Sequence, residues 1–309
     1  SLNYSFNAQK VSDDAAALAL GATVNGSIAH AGQRDLYSVS LASAKRLYFD
    51  ALSNNSGLTW SLSGPRGTLV AGRSFTGSDS ASFGASPMLD LTAGDYTLIV
   101  DGSGDTTGAY SLRLLDLDQA APLTSGTPVS GQLNPANRTD AYRLDVAAGD
   151  RFYFDRLTSG GSTYWRLLDP YGQALFGPSY MGSDVDVLSL TQSGAYTLLI
   201  EGYIGDTGSL NYSFNAQKVS DDMAALSLGV TVNGSIAQAG QRDFYSFSLL
   251  ANQRLYFDAL SNSSGALSWS LSGPRGSVIA GRSLSASDSA ELSSAPALDL
   301  VAGDYTLML

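Results

Sequence analysis

Cysteine is absent from the 309 residues, and histidine occurs once, at His30. The first absence removes disulfides, thiolate nucleophiles and cysteine metal cages. The second removes the side chain that most often serves as a general base. The positions matching His30 in the later repeats hold Pro135 and Gln238, so this histidine reads as a solvated loop residue. No serine sits in a Gly-x-Ser-x-Gly elbow between strand and helix, and no Gly-x-x-x-x-Gly-Lys phosphate loop occurs. The sequence therefore predicts no enzyme. Charge is also scarce: 17 Lys and Arg and 28 Asp and Glu make up 15% of the chain, for a net charge of −11. That balance argues against nucleic acid and anionic membrane partners, which need clustered cations. No apolar run approaches the ~20 residues of a membrane-spanning helix, so membrane insertion is not expected.

What the chain does have is repetition. SLNYSFNAQKVSDD at Ser1–Asp14 returns letter for letter at Ser209–Asp222. TVNGSIA recurs at Thr23 and Thr231, RLYFDALSN at Arg46 and Arg254, and SLSGPRG at Ser61 and Ser270. A divergent copy lies between them. Ser130–Val146 matches Asn25–Leu41, and SGAYTLLIEG at Ser193 matches AGDYTLIVDG at Ala93. Fixed-period self-similarity of this kind sets the architecture before any local reading.

Within each repeat, short alternating runs such as Tyr37/Val39/Leu41, Leu47/Phe49/Ala51 and Tyr96/Leu98/Val100 read as half-buried strands. Turn signals every 8–12 residues separate about eight such strands. This predicts an all-β chain of three tandem antiparallel β-sandwiches, jelly-roll-like, each long enough to bury its own core. The boundaries follow: residues 1–7 as the last strand of a preceding repeat, 8–22 as linker, 23–115 as the first sandwich, 116–126 as linker, 127–215 as the second, 216–230 as linker, and 231–309 as an incomplete third. The Ala-rich stretch Ala8–Gly21 is the only one with helix-forming composition and predicts one helical turn or two. The third repeat lacks the strand that Ala109–Leu115 and Ser209–Asn215 supply to the first two, while Ser1–Asn7 is such a strand without its own repeat. A head-to-tail self-association, with Ser1–Asn7 of one molecule completing the third repeat of another, is the expectation this raises. The chain begins inside a repeat, so targeting segments are expected to lie outside it.

Taken together the units resemble bacterial pre-peptidase C-terminal domains. The carrying residues are Gly26-Ser27-Ile28 and Gly131-Gln132-Leu133, then Asp35-Leu36-Tyr37-Ser38-Val39 and Asp140-Ala141-Tyr142-Arg143-Leu144. An aromatic strand ending in an Asp-Pro-x-Gly-like turn at Trp165–Gly172, an Ala/Ser-Gly-x-Tyr-Thr-Leu strand and a closing Gly-x-Tyr-Ser-Leu complete the pattern. The resemblance implies β-sandwich modules that are appended to secreted peptidases or strung in tandem in large surface proteins, hence an extracellular or bacterial cell-surface location.

The same resemblance implies calcium in some members, held by linker acids and an aspartate ahead of the second strand. The matching residues are Asp13, Asp14 and Asp35, then Asp116, Asp118 and Asp140, then Asp221, Asp222 and Asp243. Calcium wants several oxygen ligands at ~2.3–2.6 Å, and upstream of the first trio Asn7, Ala8, Gln9 and Lys10 add no carboxylate. The competing reading has Asp35, Asp140 and Asp243 bracing turns. Asp101, Asp105, Glu201 and Asp206 read as turn caps. Tyr48, Tyr153 and Tyr256 fall out of phase with their strands' core residues, and Tyr164, Tyr171 and Tyr180 crowd the second repeat. Such tyrosines serve either packing between units or stacking on sugar and extended peptide. Two functions remain: spacer repeats of a large extracellular adhesin-like protein, or a module that binds polysaccharide or extracellular matrix protein for a secreted enzyme or adhesin.

Overall fold

Alternation of apolar and polar residues becomes strand after strand in the computed structural model, which describes residues 2–6, 8, 10–79, 88–260, 265–287 and 297–309. The first module contains β1 (Asp14–Ala17), β2 (Val24–Ile28), β3 (Arg34–Leu41), β4 (Lys45–Ala51) and β5 (Leu58–Gly64). β6 (Gly67–Ser74), β7 (Met88–Leu91), β8 (Gly94–Gly102) and β9 (Gly108–Asp116) complete it. Two sheets result, in the orders β1-β3-β8-β5-β6 and β2-β9-β4-β7.

The second module repeats the plan. Its strands are β10 (Ala121–Pro122), β11 (Val129–Leu133), β12 (Thr139–Val146), β13 (Asp150–Ser159) and β14 (Thr163–Leu168). They continue with β15 (Ala174–Tyr180), β16 (Val185–Leu190), β17 (Gly194–Gly202) and β18 (Leu210–Lys218). The sheet orders are β10-β12-β17-β14-β15 and β11-β18-β13-β16. The third module has β19 (Asp222–Ala225), β20 (Asp243–Leu249), β21 (Gln253–Tyr256) and β22 (Ser268–Gly273). β23 (Gly276–Ser283), β24 (Ala297–Leu300) and β25 (Gly303–Met308) follow. One sheet is again five-stranded, β19-β20-β25-β22-β23, but the other is reduced to β21-β24 among the described residues.

Among the described residues every ladder is antiparallel except one per module, where β1, β10 and β19 run parallel to β3, β12 and β20. This corrects the helical turn expected at Ala8–Gly21. An isolated turn of helix fixes too many dihedrals for too few hydrogen bonds, whereas Asp14–Ala17 as β1 finds a full ladder partner in Asp35–Ser38. The expected linker 116–126 is likewise structured. Leu117–Gln119 forms a 3-10 turn with Leu117 buried, and Ala121–Pro122 joins the sheet as β10.

Among the described residues each module has a core of its own, as alternation requires. In the first, Phe49 stacks on Trp60 with ring centroids 3.9 Å apart. The third repeats this with Phe257 on Trp269, also at 3.9 Å. In the second, Trp165 meets Phe176 edge-on at 5.8 Å. Burial of each such large side chain contributes roughly 1.5–3 kcal/mol. The first two modules together make one compact unit, Ser1–Ala216, and Gln217–Leu309 makes the other. Ile204, from the turn after β17, inserts into the first module's core, so the two modules are not independent beads.

Residues 2–6 form no strand. Leu2, Tyr4 and Phe6 are 100%, 88% and 85% exposed, which replaces the half-buried strand that their alternation predicts. Ser1 and Asn7, the ends of that expected strand, lie outside the described residues, as does 80–87 of the polar loop before β7. Among the described residues no helix is long and apolar enough to cross a membrane, a statement that does not bear on β-barrels.

Candidate functional site: a buried joint and an aspartate–tyrosine clamp

β4 sends Leu47, Phe49 and Ala51 into its own core, so the intervening Tyr48 and Asp50 must face away from it. They are nevertheless buried, at 0% exposure, because the second module covers them. Tyr48 donates its hydroxyl to Glu201 Oε1 at 2.7 Å, and Thr139 Oγ1 donates to the Tyr48 oxygen at 3.3 Å. Arg166 grips Glu201 with both Nε (3.2 Å) and Nη2 (3.0 Å). Asp50 lies opposite Arg113 in the β4–β9 ladder and accepts from its Nε at 2.8 Å and from its Nη2. Arg113 Nη2 also donates to the Thr139 carbonyl at 2.7 Å, and the Thr139 amide donates to Asp50 at 3.3 Å. Two carboxylates and two guanidiniums thus share one desolvated layer that spans both modules.

Apolar residues seal it: Leu117, Leu168 and Leu199 are buried around Tyr48. At the margins, Asn137 Nδ2 donates to the Leu52 carbonyl at 2.9 Å, and Arg46 Nη1 donates to the Pro170 carbonyl at 3.1 Å. Burial raises the pKa of Asp50 and of Glu201, opposed by Arg113 and Arg166 respectively. Burial likewise pushes the Tyr48 hydroxyl well above its ordinary value, aided by the nearby Glu201 charge. Asp50 Oδ1 is buried without a hydrogen-bond partner, which gives the upward shift of Asp50 a structural counterpart. The expectation that Glu201 caps a turn is corrected: it is the centre of the joint. Asp206 does cap, accepting the Ser162 amide at 3.0 Å.

A second constellation is common to the first and second modules. Tyr110 of β9 donates to Asp35 and shares a 2.7 Å hydrogen bond with the Tyr37 hydroxyl. In the second module Tyr212 of β18 donates to Asp140 at 2.8 Å and lies 2.6 Å from the Tyr142 hydroxyl. The clamp ties together the two sheets of each of these two sandwiches. Gly26 and Gly131 make room for the ring: a Cβ at either would collide with the Tyr110 or the Tyr212 ring. Burial raises the pKa of both Tyr110 and Tyr212, so each hydroxyl stays a donor.

The expected metal residues lie beside this clamp, and each carboxylate already faces a donor. Asp13 pairs with Arg34 (3.1 Å) and accepts its amide (3.0 Å). Gln33 Nε2 bridges Asp14 (3.4 Å) and Asp35 (3.0 Å). In the third module Asp221 accepts the Arg242 amide (3.1 Å), and Gln241 Nε2 bridges Asp222 (3.3 Å) and Asp243 (3.0 Å). In the second, Arg138 stands where the others have glutamine and pairs with Asp140 at 2.8 Å. Asp116 there pairs with Lys45 at 2.5 Å, and Asp118 lies 3.9 Å from the same Nζ. The parallel ladders align Asp118 with Asp13 and Gln119 with Asp14, so the second trio is shifted from its expected register. Among the described residues no three Asp, Glu or His side chains converge on one point. A calcium cage wants several carboxylates with oxygens free; in the first and third trios a glutamine amide bridges two of the carboxylates, and in the second Arg138 pairs with Asp140 while Lys45 faces Asp116 and Asp118.

His30 is exposed on its turn, with its amide donating to Gln33 Oε1 at 3.3 Å. Of the out-of-phase tyrosines, Tyr48 serves the joint, Tyr153 donates to Asp184 at 2.7 Å, and Tyr256 is 55% exposed. Tyr171 and Tyr180 are also exposed, at 65% and 56%. The sequence flagged Tyr48 but not its partners, because the Tyr48–Glu201 contact joins residues 153 positions apart.

No family model and no curated protein matches the chain. Among solved structures, the pre-peptidase C-terminal domain of collagenase from Bacillus anthracis is similar at 21% identity, TM-score 0.26, over 35% of this chain and 99% of that one. PliG, a periplasmic lysozyme inhibitor of Aeromonas hydrophila, is similar at 16% identity, TM-score 0.24, over 32% of this chain and 96% of that one. The CUB1-EGF-CUB2 domain of human MASP-1/3 is similar at 10% identity, TM-score 0.20, over 64% of this chain and 94% of that one.

Proposed function

We propose that this chain is a non-catalytic spacer segment of a large extracellular, adhesin-like bacterial surface protein, its modules setting reach and direction. The observation that carries this reading is the joint. A spacer must resist bending, and bending here would expose Tyr48, Asp50, Arg113, Arg166 and Glu201, groups whose burial leaves them dependent on one another.

A second reading draws on Tyr171 and Tyr180. Exposed aromatic rings on a β face suit stacking on sugar or extended peptide, which would make the chain a polysaccharide- or matrix-protein-binding module. A binding screen of the 309-residue chain against glycans and matrix proteins separates the two. The spacer role predicts no saturable ligand; a saturable one that is lost in Tyr171→Ala/Tyr180→Ala overturns it in favour of the module.

A further inference from the structure

Beside the buried joint, the first two modules leave a cleft of about 500 Å3 between them, a volume suited to a small organic molecule. The first module contributes Leu20, Arg113, Leu115 and Asp116, and the second contributes Arg138 and Tyr142. Gln119, in the turn that joins them, adds an exposed side-chain amide at the rim. The cleft lies within the single compact unit Ser1–Ala216. The strands that frame it, β9 and β12, are both interior strands of their sheets.

The lining has donors to spare, while its carboxylates are already held. Arg113 is only 6% exposed, and Asp50 and the Thr139 carbonyl occupy its Nε and Nη2. Its Nη1 has no hydrogen-bond partner among the described residues and keeps solvent access where the side chain lines the cleft. Arg138 stands in the wall with Nη2 on Asp140 at 2.8 Å and Nε unpaired among the described residues. By contrast, Lys45 holds Asp116 at 2.5 Å, and Asp140 also accepts the Tyr212 hydroxyl at 2.8 Å.

From this we infer that the cleft binds a small monocarboxylate with a short apolar body, its carboxylate accepting from Arg113 Nη1. A desolvated guanidinium favours an ionised acceptor, because such a hydrogen bond is roughly twice as strong as a neutral one. The surrounding charges set how much anion the cleft takes. Arg113, Arg138 and Lys45 are balanced by Asp50, Asp140 and Asp116. No net positive charge is left to offset the desolvation of a second negative charge, which favours a monoanion over phosphate. Leu20, Leu115 and Ala141 supply an apolar wall for the carbon chain. Arg113 Nη2 already holds the Thr139 carbonyl of the second module at 2.7 Å, so a ligand on Nη1 touches the joint from outside and bridges both modules. The inference concerns a small molecule at the joint and holds whether the array is spacer or binding module.

The test is titration of the leucine-methyl-labelled 309-residue chain at neutral pH with hexanoate, 1-hexanol and inorganic phosphate, followed by NMR. Hexanoate is expected to move the Leu20 and Leu115 methyl signals saturably. Hexanol, which has the carbon chain without the charge, should bind at least about tenfold more weakly. Phosphate should move neither signal. Ala121→Phe fills the cleft from an exposed lining position, so it should abolish the hexanoate shifts while its thermal melt matches that of the wild type. Arg113→Lys keeps a cation for Asp50 but removes Nη1, and should erase the preference for hexanoate over hexanol. The inference is overturned by hexanoate that leaves Leu20 and Leu115 unmoved, by hexanol or phosphate that binds as tightly, or by hexanoate shifts that survive Ala121→Phe.

Discussion

Tyr48 of the first module donates its hydroxyl to Glu201 of the second across 2.7 Å, and neither residue has any exposed surface. A hydroxyl–carboxylate bond of this kind replaces water on both sides at once, so neither module can keep its pairing if the other leaves. Tyr48→Phe keeps the ring and the packing against Leu117 and Leu199. It leaves Glu201 Oε1 with Arg166 alone, which should cost about 1–3 kcal/mol of stability. Chemical denaturation of the full chain, followed by tryptophan fluorescence, measures it.

Asp50 and Arg113 should show the asymmetry of a buried ion pair. Arg113→Leu strands a buried carboxylate and is expected to destabilise by about 3–5 kcal/mol, while Asp50→Leu/Arg113→Leu recovers most of that loss. A double-mutant cycle on denaturation midpoints reads the coupling. Additive single and double effects would place the joint's cohesion elsewhere.

Burial raises the pKa of Asp50 and of Glu201 in the folded chain. The folded state therefore binds more protons than the unfolded one just above the ordinary carboxylate range near 4. Their contribution to stability is fully present below the unfolded pKa and declines as pH rises through the raised value. Asp184, held below its ordinary value by the Tyr153 hydroxyl, acts in the opposite sense. The clean measurement is a difference: wild type minus Asp50→Leu/Arg113→Leu should lose stability as pH rises above the ordinary carboxylate range near 4.

Calcium has a direct check. With Gln33, Arg138 and Gln241 donating into the aspartate trios, millimolar calcium against chelator should leave the melting temperature unchanged. An ion held by the native state alone would raise it by mass action.

Much of the fold was legible because it rests on alternation. Leu47, Phe49 and Ala51 announced a core-facing row, and Tyr48 announced something behind it. The partner did not show, since Glu201 sits in EGYIGDTG, a stretch whose glycines speak of a turn and hide the interface. Asp14–Ala17 misled for a related reason: alanine's local preference for helix yielded to a ladder with β3, which is a tertiary partner. The clamp was half visible. Asp35 was singled out, but the tyrosine that satisfies it lies 75 positions later on β9.

The central claim, that the first two modules move as one body, has one most direct measurement, and the absence of cysteine makes it simple. Spin labels on Thr68→Cys in the first module and Ser189→Cys in the second, both exposed positions, report the distance between modules by pulsed electron resonance. The buried joint predicts a single narrow distribution that broadens in Arg113→Leu. A broad distribution in the otherwise unaltered chain would contradict it.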